Sequence, residues 1–183
     1  TLRTTQFYGI DRLIELCRVV RRILPSKTKL IVNTGEFSAS EAGRLADAGV
    51  NMVYHTYRLR EGTDTGVRPE DRLETLRIIR NSPLELAALV EPLGPEHTDQ
   101  EIIDAAFMLR EFDVRLGGCM ARIPVAGVPL AATGPVSEAR QVRVIAVTRL
   151  ISGPETADIC VHPPVAAALN AGANTVVVET GAI

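Results

Sequence analysis

The sequence alternates between short runs of apolar, β-branched residues and longer amphipathic segments. Lys29–Thr34 is such an apolar run, closed by Gly35, and Ser38 stands three residues before Glu41 as a capping box that opens a helix. The same order of short strand and helix, the latter of roughly ten to fifteen residues, continues along the chain. This alternation is typical of β/α units around a parallel sheet, so the chain is predicted to be an α/β protein.

The predicted elements follow this pattern from end to end. The predicted strands are short and apolar: Lys29–Thr34, Asn51–Tyr57, Leu86–Val90, Leu116–Val125, Asp158–His162 and Thr175–Thr180, with Thr1–Gln6 as the end of an earlier strand. The predicted helices have apolar residues at helical spacing: Tyr8–Leu24, Ala39–Ala48, Pro69–Asn81, Asp99–Phe112, Ser137–Ile151 and Val165–Ala171.

The number of units predicts a (β/α)8 TIM-type barrel. Such a barrel normally takes about 250 residues, and the sequence has 183. We therefore expect an incomplete barrel that forms a single domain over residues 1–183 and lacks its N-terminal β/α unit. The strand ending at Gln6 and the strand Thr175–Thr180 are expected to flank a gap.

Composition excludes several classes of protein. The 20 Lys and Arg against 22 Asp and Glu give a formal net charge of -2, which provides no basic surface for nucleic acid or an anionic membrane. The chain contains no apolar run of about 20 residues, the length of a spanning helix. Three scattered cysteines form neither a disulfide framework nor a zinc set. A cytoplasmic protein without a nucleic-acid or membrane partner is expected.

Polar residues stand where the predicted strands end. In a barrel of this type the chemistry lies at the carboxyl ends of the strands, and polar groups that converge there need partners or a ligand. The predicted polar mouth is formed by these strand ends: Thr4, Thr5 and Gln6; Asn33, Thr34, Gly35 and Glu36; His55, Thr56, Tyr57 and Arg58; Glu91; Arg122; Cys160, Val161 and His162; and Glu179 and Thr180.

An ordered series of motifs resembles a known family. The series is E-A-x-R-L-A-D-A-G-V (Glu41–Val50), R-P-E-D-R-L-E-T-L (Arg68–Leu76), R-I-P-V-A-G-V-P-L (Arg122–Leu130) and L-N-A-G-A-N-T-V-V-V-E-T-G (Leu169–Gly181). In this order and spacing the chain resembles the radical S-adenosylmethionine (SAM) superfamily, in the group of biotin synthase, [FeFe]-hydrogenase maturase and methylornithine synthase. The resemblance covers the part of the barrel that follows the loop on which this family binds its [4Fe–4S] cluster.

The resemblance implies a set of cofactor-binding residues. Arg72 matches the arginine that reaches the SAM carboxylate, although a solvated helix arginine paired with Asp71 or a neighbour of Glu74 is the alternative. The segment Thr4, Thr5 and Gln6 takes the place of the family's G-G-E, which holds the SAM amino group, and Gln6 lacks the acid's charge. A frayed terminus is the alternative for this segment.

Four further residues are expected to contact SAM or substrate. Asn33 ends a strand, where a turn-forming role before Gly35 is the alternative. His55 and Tyr57 are predicted to share one face of their strand, and Arg58 stands where the family has an acid. Glu91, after an apolar strand, is a candidate contact with SAM or substrate.

The substrate side is predicted to combine cationic and polar groups. Arg122, Cys160, His162 and Glu179, together with His55, are expected to bind a small-molecule substrate, of which a carboxylate is one candidate group. Cys160 and His162 lack an identifiable third ligand, so no metal site is predicted. Cys17 and Cys119 are expected to be buried thiols of the core.

The family's three closely spaced cysteines, which hold a [4Fe–4S] cluster, are missing from this sequence. The resemblance implies that a complete parent enzyme uses SAM and the cluster to form a 5′-deoxyadenosyl radical for hydrogen abstraction, in a rearrangement or in cofactor maturation. It also implies a reductant such as flavodoxin or ferredoxin, and a possible homodimer. This chain alone is expected to be inactive. A noncatalytic truncated barrel that serves binding or assembly is the alternative.

Overall fold

The computed structural model describes residues 1–178 and divides the chain into two compact units. The first unit contains Thr1–Tyr57 and Glu61–Ala87, and the second contains Arg58–Arg60 and the chain from Ala88 onwards. Each unit consists of parallel strands that alternate with helices, as the periodicity predicts. That residues 1–183 form a single domain without its N-terminal β/α unit stays a prediction.

The first unit is a four-stranded parallel sheet with three helices. Its strands are β1 (Leu2–Arg3), β2 (Ile31–Asn33), β3 (Met52–Tyr54) and β4 (Glu85–Ala87), and its helices are α1 (Ile10–Ile23), α2 (Ala39–Asp47) and α3 (Pro69–Arg80). The register pairs Leu2 with Val32, Val32 with Val53, and Val53 with Leu86. Met52 and Val53 follow one another in β3 and are both buried, so this strand is covered on both faces, as strands of parallel sheets usually are.

The second unit repeats the arrangement. Its strands are β5 (Val90–Leu93), β6 (Leu116–Ala121), β7 (Asp158–His162) and β8 (Thr175–Val176), and its helices are α4 (Asp99–Glu111), α5 (Glu138–Ser152) and α6 (Ala166–Asn170). Strand β6 pairs in parallel with both β5 and β7, and β7 pairs with β8. Gly118 lies opposite Cys160, where the two backbones approach closely.

Local sequence signals fix the helix starts. Ser38 and Glu41 form the predicted capping box of α2, and Thr98 forms a second one with Glu101 at α4. Pro69 occupies the first turn of α3, where a missing N–H costs nothing. These three predicted starts are confirmed.

The predicted strands are longer than the observed ones. Asn51–Tyr57 shrinks to Met52–Tyr54, and Leu116–Val125 shrinks to Leu116–Ala121. The predicted strand Leu86–Val90 is two strands, because the backbone pairs with β3 up to Ala87 and with β6 from Val90. Only Thr175–Val176 of the last predicted strand is paired, and residues 179–183 lie outside the described part of the chain. The predicted gap between the terminal strands therefore stays a prediction.

In each unit the helices run back from the carboxyl ends of the strands. The loops that join β2 to α2 and β3 to α3 therefore meet at one edge of the first sheet, where the polar residues after Asn33 and Tyr54 come together. Among residues 1–178, no helix is long and apolar enough to cross a membrane.

Candidate functional site

A cluster of charged side chains lies at the carboxyl ends of β2 and β3. Glu36 belongs to the loop that follows β2, and His55 directly follows β3. Glu61 comes later in the loop after β3, and Arg72 lies near the start of α3. We call Glu36, His55, Glu61 and Arg72 the Arg72 cluster.

Arg72 lies at the centre of this cluster. Its Nη1 lies 2.8 Å from Glu36 Oε1, and its Nε donates to Glu61 Oε2 at 3.3 Å. The side chain is buried at 7% exposure. The alternative of a solvated helix arginine is therefore wrong, and Asp71 pairs with Arg68 instead.

Glu36 is held by three neighbours. Besides Arg72, its Oε2 accepts a short hydrogen bond from the Thr75 hydroxyl and lies 3.1 Å from His55 Nε2. Partial burial acts to raise the pKa of Glu36, but the hydrogen bonds from His55 and Thr75 and the charge of Arg72 together lower it. Glu36 is therefore a carboxylate at neutral pH.

His55 is a buried neutral imidazole. Its exposure is 1%, and burial, followed by the charge of Arg72, lowers the pKa of the ring against the opposing pull of Glu36. Its Nε2 lies 3.1 Å from Glu36 Oε2 and 3.2 Å from Arg72 Nη1. The Nδ1 atom of His55 is buried without a hydrogen-bond partner among residues 1–178.

Arg72 faces two acidic side chains in this cluster, Glu36 and Glu61. The contacts that Arg72 makes with residues 1–178 use Nε and Nη1 and leave Nη2 without a polar partner. Within the described residues, Arg72 Nη2 and His55 Nδ1 therefore make no hydrogen bond.

The N-terminal segment of the candidate site is tied to β2 by its backbone. Thr4 donates from both its N–H (2.9 Å) and its hydroxyl (3.2 Å) to the carbonyl of Asn33. Thr5 and Gln6 are exposed. A Cβ on Gly35 would lie 2.8 Å from the Gln6 carbonyl oxygen, so Gly35 permits a close approach that places the Gln6 backbone beside the loop that bears Glu36.

Asn33 and Tyr57 lie beside the cluster. Asn33 donates from Nδ2 to the carbonyl of Tyr54 at 2.9 Å and so ties the end of β2 to the end of β3. Tyr57 is half-buried, and burial, followed by the charges of Glu61 and Glu70, raises the pKa of its phenol. The predicted alternation of faces over His55–Arg58 is wrong, because β3 ends at Tyr54 and both His55 and Thr56 are buried.

In the second unit, Glu91 lies near two thiols. Glu91 is buried in β5. Burial, with Glu91 as a further cause, raises the pKa of Cys160 to about 12, and burial, Cys160 and Glu91 raise the pKa of Cys119. Cys17 is buried in α1 of the first unit, where burial raises its pKa to about 11. All three residues are buried thiols, as predicted for Cys17 and Cys119.

Arg122 is already engaged by a carboxylate. Its two terminal nitrogens donate to Glu96 at 2.6 and 2.8 Å, and Nη2 also donates to Thr133 Oγ1 at 2.6 Å. The hydrogen bonds from Arg122, the largest influence, lower the pKa of Glu96 to about 2. His162 is buried, and its carbonyl accepts from Gln141 at 2.8 Å. The Nδ1 atom of His162 has no hydrogen-bond partner within residues 1–178. Glu179 lies outside the described residues.

The structure thus brings together some predicted residues and adds others. Arg72 and His55 meet at 3.2 Å in the first unit, and Cys160 and Glu91 are near each other in the second. Glu36 was predicted as part of the polar strand end that begins at Asn33, without a ligand contact assigned to it. Glu61, Thr75 and Glu96 were not predicted as site residues.

Comparison with known proteins gives relatives in sequence and neighbours in fold. No protein-family model matches the chain. A biotin synthase from Acaryochloris marina is 25% identical over 151 residues, which cover 78% of this chain and 42% of the relative. The structure of methylornithine synthase matches with a TM-score of 0.77 at 17% identity, over 95% of this chain and 55% of that chain. The structure of HydG, a maturase of the [FeFe]-hydrogenase, matches with a TM-score of 0.65 at 12% identity, over 82% of this chain and 37% of that chain.

In sequence the chain is similar to biotin synthases, which are radical SAM enzymes, and in fold it is similar to methylornithine synthase and HydG. Its fold class is the predicted one, an incomplete (β/α) barrel of the TIM type. The chain spans less than half the length of the biotin synthases it matches. For this chain, the activity of a whole radical SAM enzyme is therefore a proposal.

Two groups are expected in this superfamily, a [4Fe–4S] cluster and SAM, and the residues of this chain fit them differently. A [4Fe–4S] cluster is held by several thiolates placed together, whereas Cys17 is buried in α1, Cys119 in β6 and Cys160 in β7. These cysteines do not fit the cluster. The amino-acid part of SAM does fit the Arg72 cluster, because Arg72 Nη2 and the buried His55 Nδ1 lack partners within residues 1–178.

Proposed function

We propose that this chain is the part of a radical SAM enzyme that holds SAM and a small-molecule substrate. The observation that carries the proposal is the Arg72 cluster, in which a buried arginine keeps Nη2 without a partner in the described residues. For the whole enzyme we propose hydrogen abstraction from the substrate by a 5′-deoxyadenosyl radical, in a rearrangement or in cofactor maturation. The chemistry belongs to the cofactor, and the protein contributes position and exclusion of solvent.

Arg72 is proposed to bind the SAM carboxylate through Nη2. A guanidinium offers several N–H donors in a fixed plane, so it can hold Glu36 and Glu61 and still donate to a third carboxylate. The Arg72 residue is only 7% exposed, and a charge-assisted hydrogen bond is stronger than a neutral one. Asn33, Tyr57 and the backbone of Thr4, Thr5 and Gln6 are proposed to border the ligand on the same edge of the sheet.

Substrate is proposed to contact the polar residues of the second unit. Glu91 lies near the start of β5, Cys160 in the middle of β7 and His162 at the carboxyl end of β7, and all three are buried. Arg122 is proposed to meet a substrate carboxylate only if Glu96 gives way, because Glu96 already takes both of its terminal nitrogens. Sulfur insertion is not proposed, since the strand segment Leu86–Val90 offers no cysteine.

The [4Fe–4S] cluster of the whole enzyme is proposed to be held by polypeptide other than these residues, since the cysteines of this chain do not fit it. We also propose that the reductant is a flavodoxin or a ferredoxin and that the enzyme forms a homodimer. We assign to this chain no reaction step that passes through the [4Fe–4S] cluster.

The test of this function is equilibrium binding of S-adenosylhomocysteine, which retains the amino acid and adenosine of SAM. The expected result is saturable binding by the chain and a loss of at least about tenfold in affinity in Arg72→Met, as for removal of a hydrogen bond to a charged group. The matched control is Arg77→Met on the exposed face of α3, which should bind like the wild type. Absence of binding by the wild-type chain would contradict the proposal.

A further inference from the structure

A carboxylate-binding contact is already formed at the carboxyl end of β6. Arg122 directly follows this strand, and Glu96 belongs to the loop between β5 and α4. The two terminal nitrogens of Arg122 donate to the two carboxylate oxygens of Glu96, at 2.6 and 2.8 Å. This two-point pairing is the geometry in which arginine recognises carboxylates in general. The position that Glu96 fills is therefore suited to the carboxylate of a ligand.

Gly94 provides the space for this carboxylate. A Cβ at Gly94 would lie 2.6 Å from Glu96 Oε1 and 2.5 Å from Arg122 Nη2, and Glu96 Oε2 would be closer still. Gly94 does not have a positive φ, so its backbone conformation does not itself require a glycine. The absence of a side chain instead lets the carboxylate and the guanidinium lie directly against the backbone of the loop between β5 and α4.

His97 borders the same position and offers a hydrogen-bond donor. Its Nδ1 accepts from the Gly94 N–H at 2.9 Å and lies 3.7 Å from Glu96 Oε1. Because burial lowers the pKa of His97 and Nδ1 is already an acceptor, the neutral ring carries its proton on Nε2. This Nε2–H is buried and has no acceptor within residues 1–178. A buried donor without an acceptor is costly, which favours a ligand that brings one.

The carboxylate of Glu96 is the replaceable member of this arrangement. The carbonyl of Glu96 accepts from Arg60 Nη2 at 2.9 Å, so the loop stays attached when the carboxylate turns away. Arg122 Nη2 also donates to Thr133 Oγ1 at 2.6 Å, which holds the guanidinium in position. The side chains of Arg122 and Glu96 are 14% and 18% exposed, so a ligand reaches the pair from solvent.

We propose that Arg122, Gly94 and His97 form a receptor for a carboxylate of the substrate, and that Glu96 is the internal competitor that sets its specificity. A substrate carboxylate replaces the carboxylate of Glu96 at Arg122 and accepts from His97 Nε2, so the charge beside the guanidinium is conserved. A neutral ligand offers no charge in exchange and leaves Glu96 in place. This inference rests on the proposed function, because it concerns the substrate side of the second unit.

The test is a titration of the chain with butyrate and, in parallel, with the uncharged butyramide, followed by nitrogen-15 NMR of the Arg122 guanidinium. Glu96→Gln removes the competing charge, so this variant is expected to bind butyrate at least about tenfold more tightly than the wild type. Its affinity for butyramide should change by less than about twofold. Glu101→Gln, which removes the carboxylate 2.7 Å from Arg60 Nε in the same unit, is the matched control and should bind butyrate like the wild type.

Glu96→Asp is a second variant that keeps the charge of the loop. Its carboxylate is one methylene shorter and retreats from Arg122, so the affinity for butyrate should rise here as well, by less than in Glu96→Gln. This variant keeps the inference testable even if Glu96→Gln does not fold.

The outcomes separate this inference from the proposed function. Equal affinity of the wild type and both variants for butyrate would show that Glu96 does not compete for Arg122. An equal gain in affinity for butyramide would show that the position does not select a carboxylate, and either result overturns the inference. S-adenosylhomocysteine takes no part in this titration, so a failure of the chain to bind it contradicts the proposed function and leaves the carboxylate receptor standing.

Discussion

Arg72 Nη1 lies 2.8 Å from Glu36 Oε1, and this ion pair joins the start of α3 to the loop that follows β2. Both residues come from connections at the carboxyl ends of strands, where a β/α fold brings its loops together. The pair is buried on the arginine side and borders a cleft on the glutamate side. It therefore links the stability of the first unit to the candidate site.

Removal of Arg72 should destabilise the protein strongly. Arg72→Met leaves the carboxylates of Glu36 and Glu61 without a buried cation, and breaking a buried pair from one side typically costs about 3–5 kcal/mol. Urea unfolding followed by circular dichroism measures the change. Arg77→Met, which removes an exposed partner 3.5 Å from Glu74, should cost less than about 1 kcal/mol. Equal effects of the two substitutions would show that the buried pair does not carry this role.

His55 should remain neutral. Because burial lowers the pKa of the folded ring, the unfolded chain binds a proton more readily, and stability is lost as the pH falls below the ordinary histidine value of 6.5. Nitrogen-15 NMR of the imidazole should show a neutral ring at neutral pH. A ring that titrates at or above pH 6.5 would contradict this prediction.

Gly118 should not tolerate a side chain. A Cβ there would lie 2.0 Å from the Cys160 carbonyl oxygen, and the backbone has a φ of +137°. Strain and overpacking together predict a loss of about 2–4 kcal/mol for Gly118→Ala. Gly43, inside α2 with nothing within 4 Å of a Cβ, is the control, and Gly43→Ala should stabilise by up to about 1 kcal/mol. Thermal unfolding that ranks the two variants the other way would refute the close approach of β6 and β7.

Glu96 should make stability depend on pH in the acidic range. Its folded pKa is about 2, below the ordinary 4.5, chiefly because of the hydrogen bonds from Arg122. The stability that it contributes is therefore present above pH 4.5 and is lost as the pH falls from 4.5 towards 2. Glu96→Gln should flatten the pH dependence of the unfolding free energy in this interval. An unchanged slope would mean that the Arg122 pair is absent in solution.

The helix starts could be predicted from the sequence because their signals are local. Ser38 and Glu41 satisfy backbone groups of the same helix turn, and Thr98 does so with Glu101. The strand ends could not be predicted in this way, because they depend on pairing partners distant in sequence. The break between β4 and β5 after Ala87 arises where the backbone changes partner from β3 to β6. No property of Ala88 or Leu89 predicts this break.

The candidate site was predictable only in part for the same reason. Arg72 was found through the family motif on α3, and His55 through its position after an apolar strand. Glu61 lies in an irregular loop and reaches Arg72 only through the tertiary fold, so neither periodicity nor spacing singles it out. Tyr57 and Arg58 were assigned to strand faces that do not exist, since β3 ends at Tyr54.

The most direct test of the account is to map the binding of S-adenosylhomocysteine by NMR on the chain labelled with nitrogen-15. The largest shifts are expected on the backbone around Gly35 and Glu36, on the ring of His55 and on the guanidinium of Arg72. Shifts that are absent at saturating ligand, or that fall on other parts of the chain and leave these groups unmoved, would contradict the assignment of the SAM site to the Arg72 cluster.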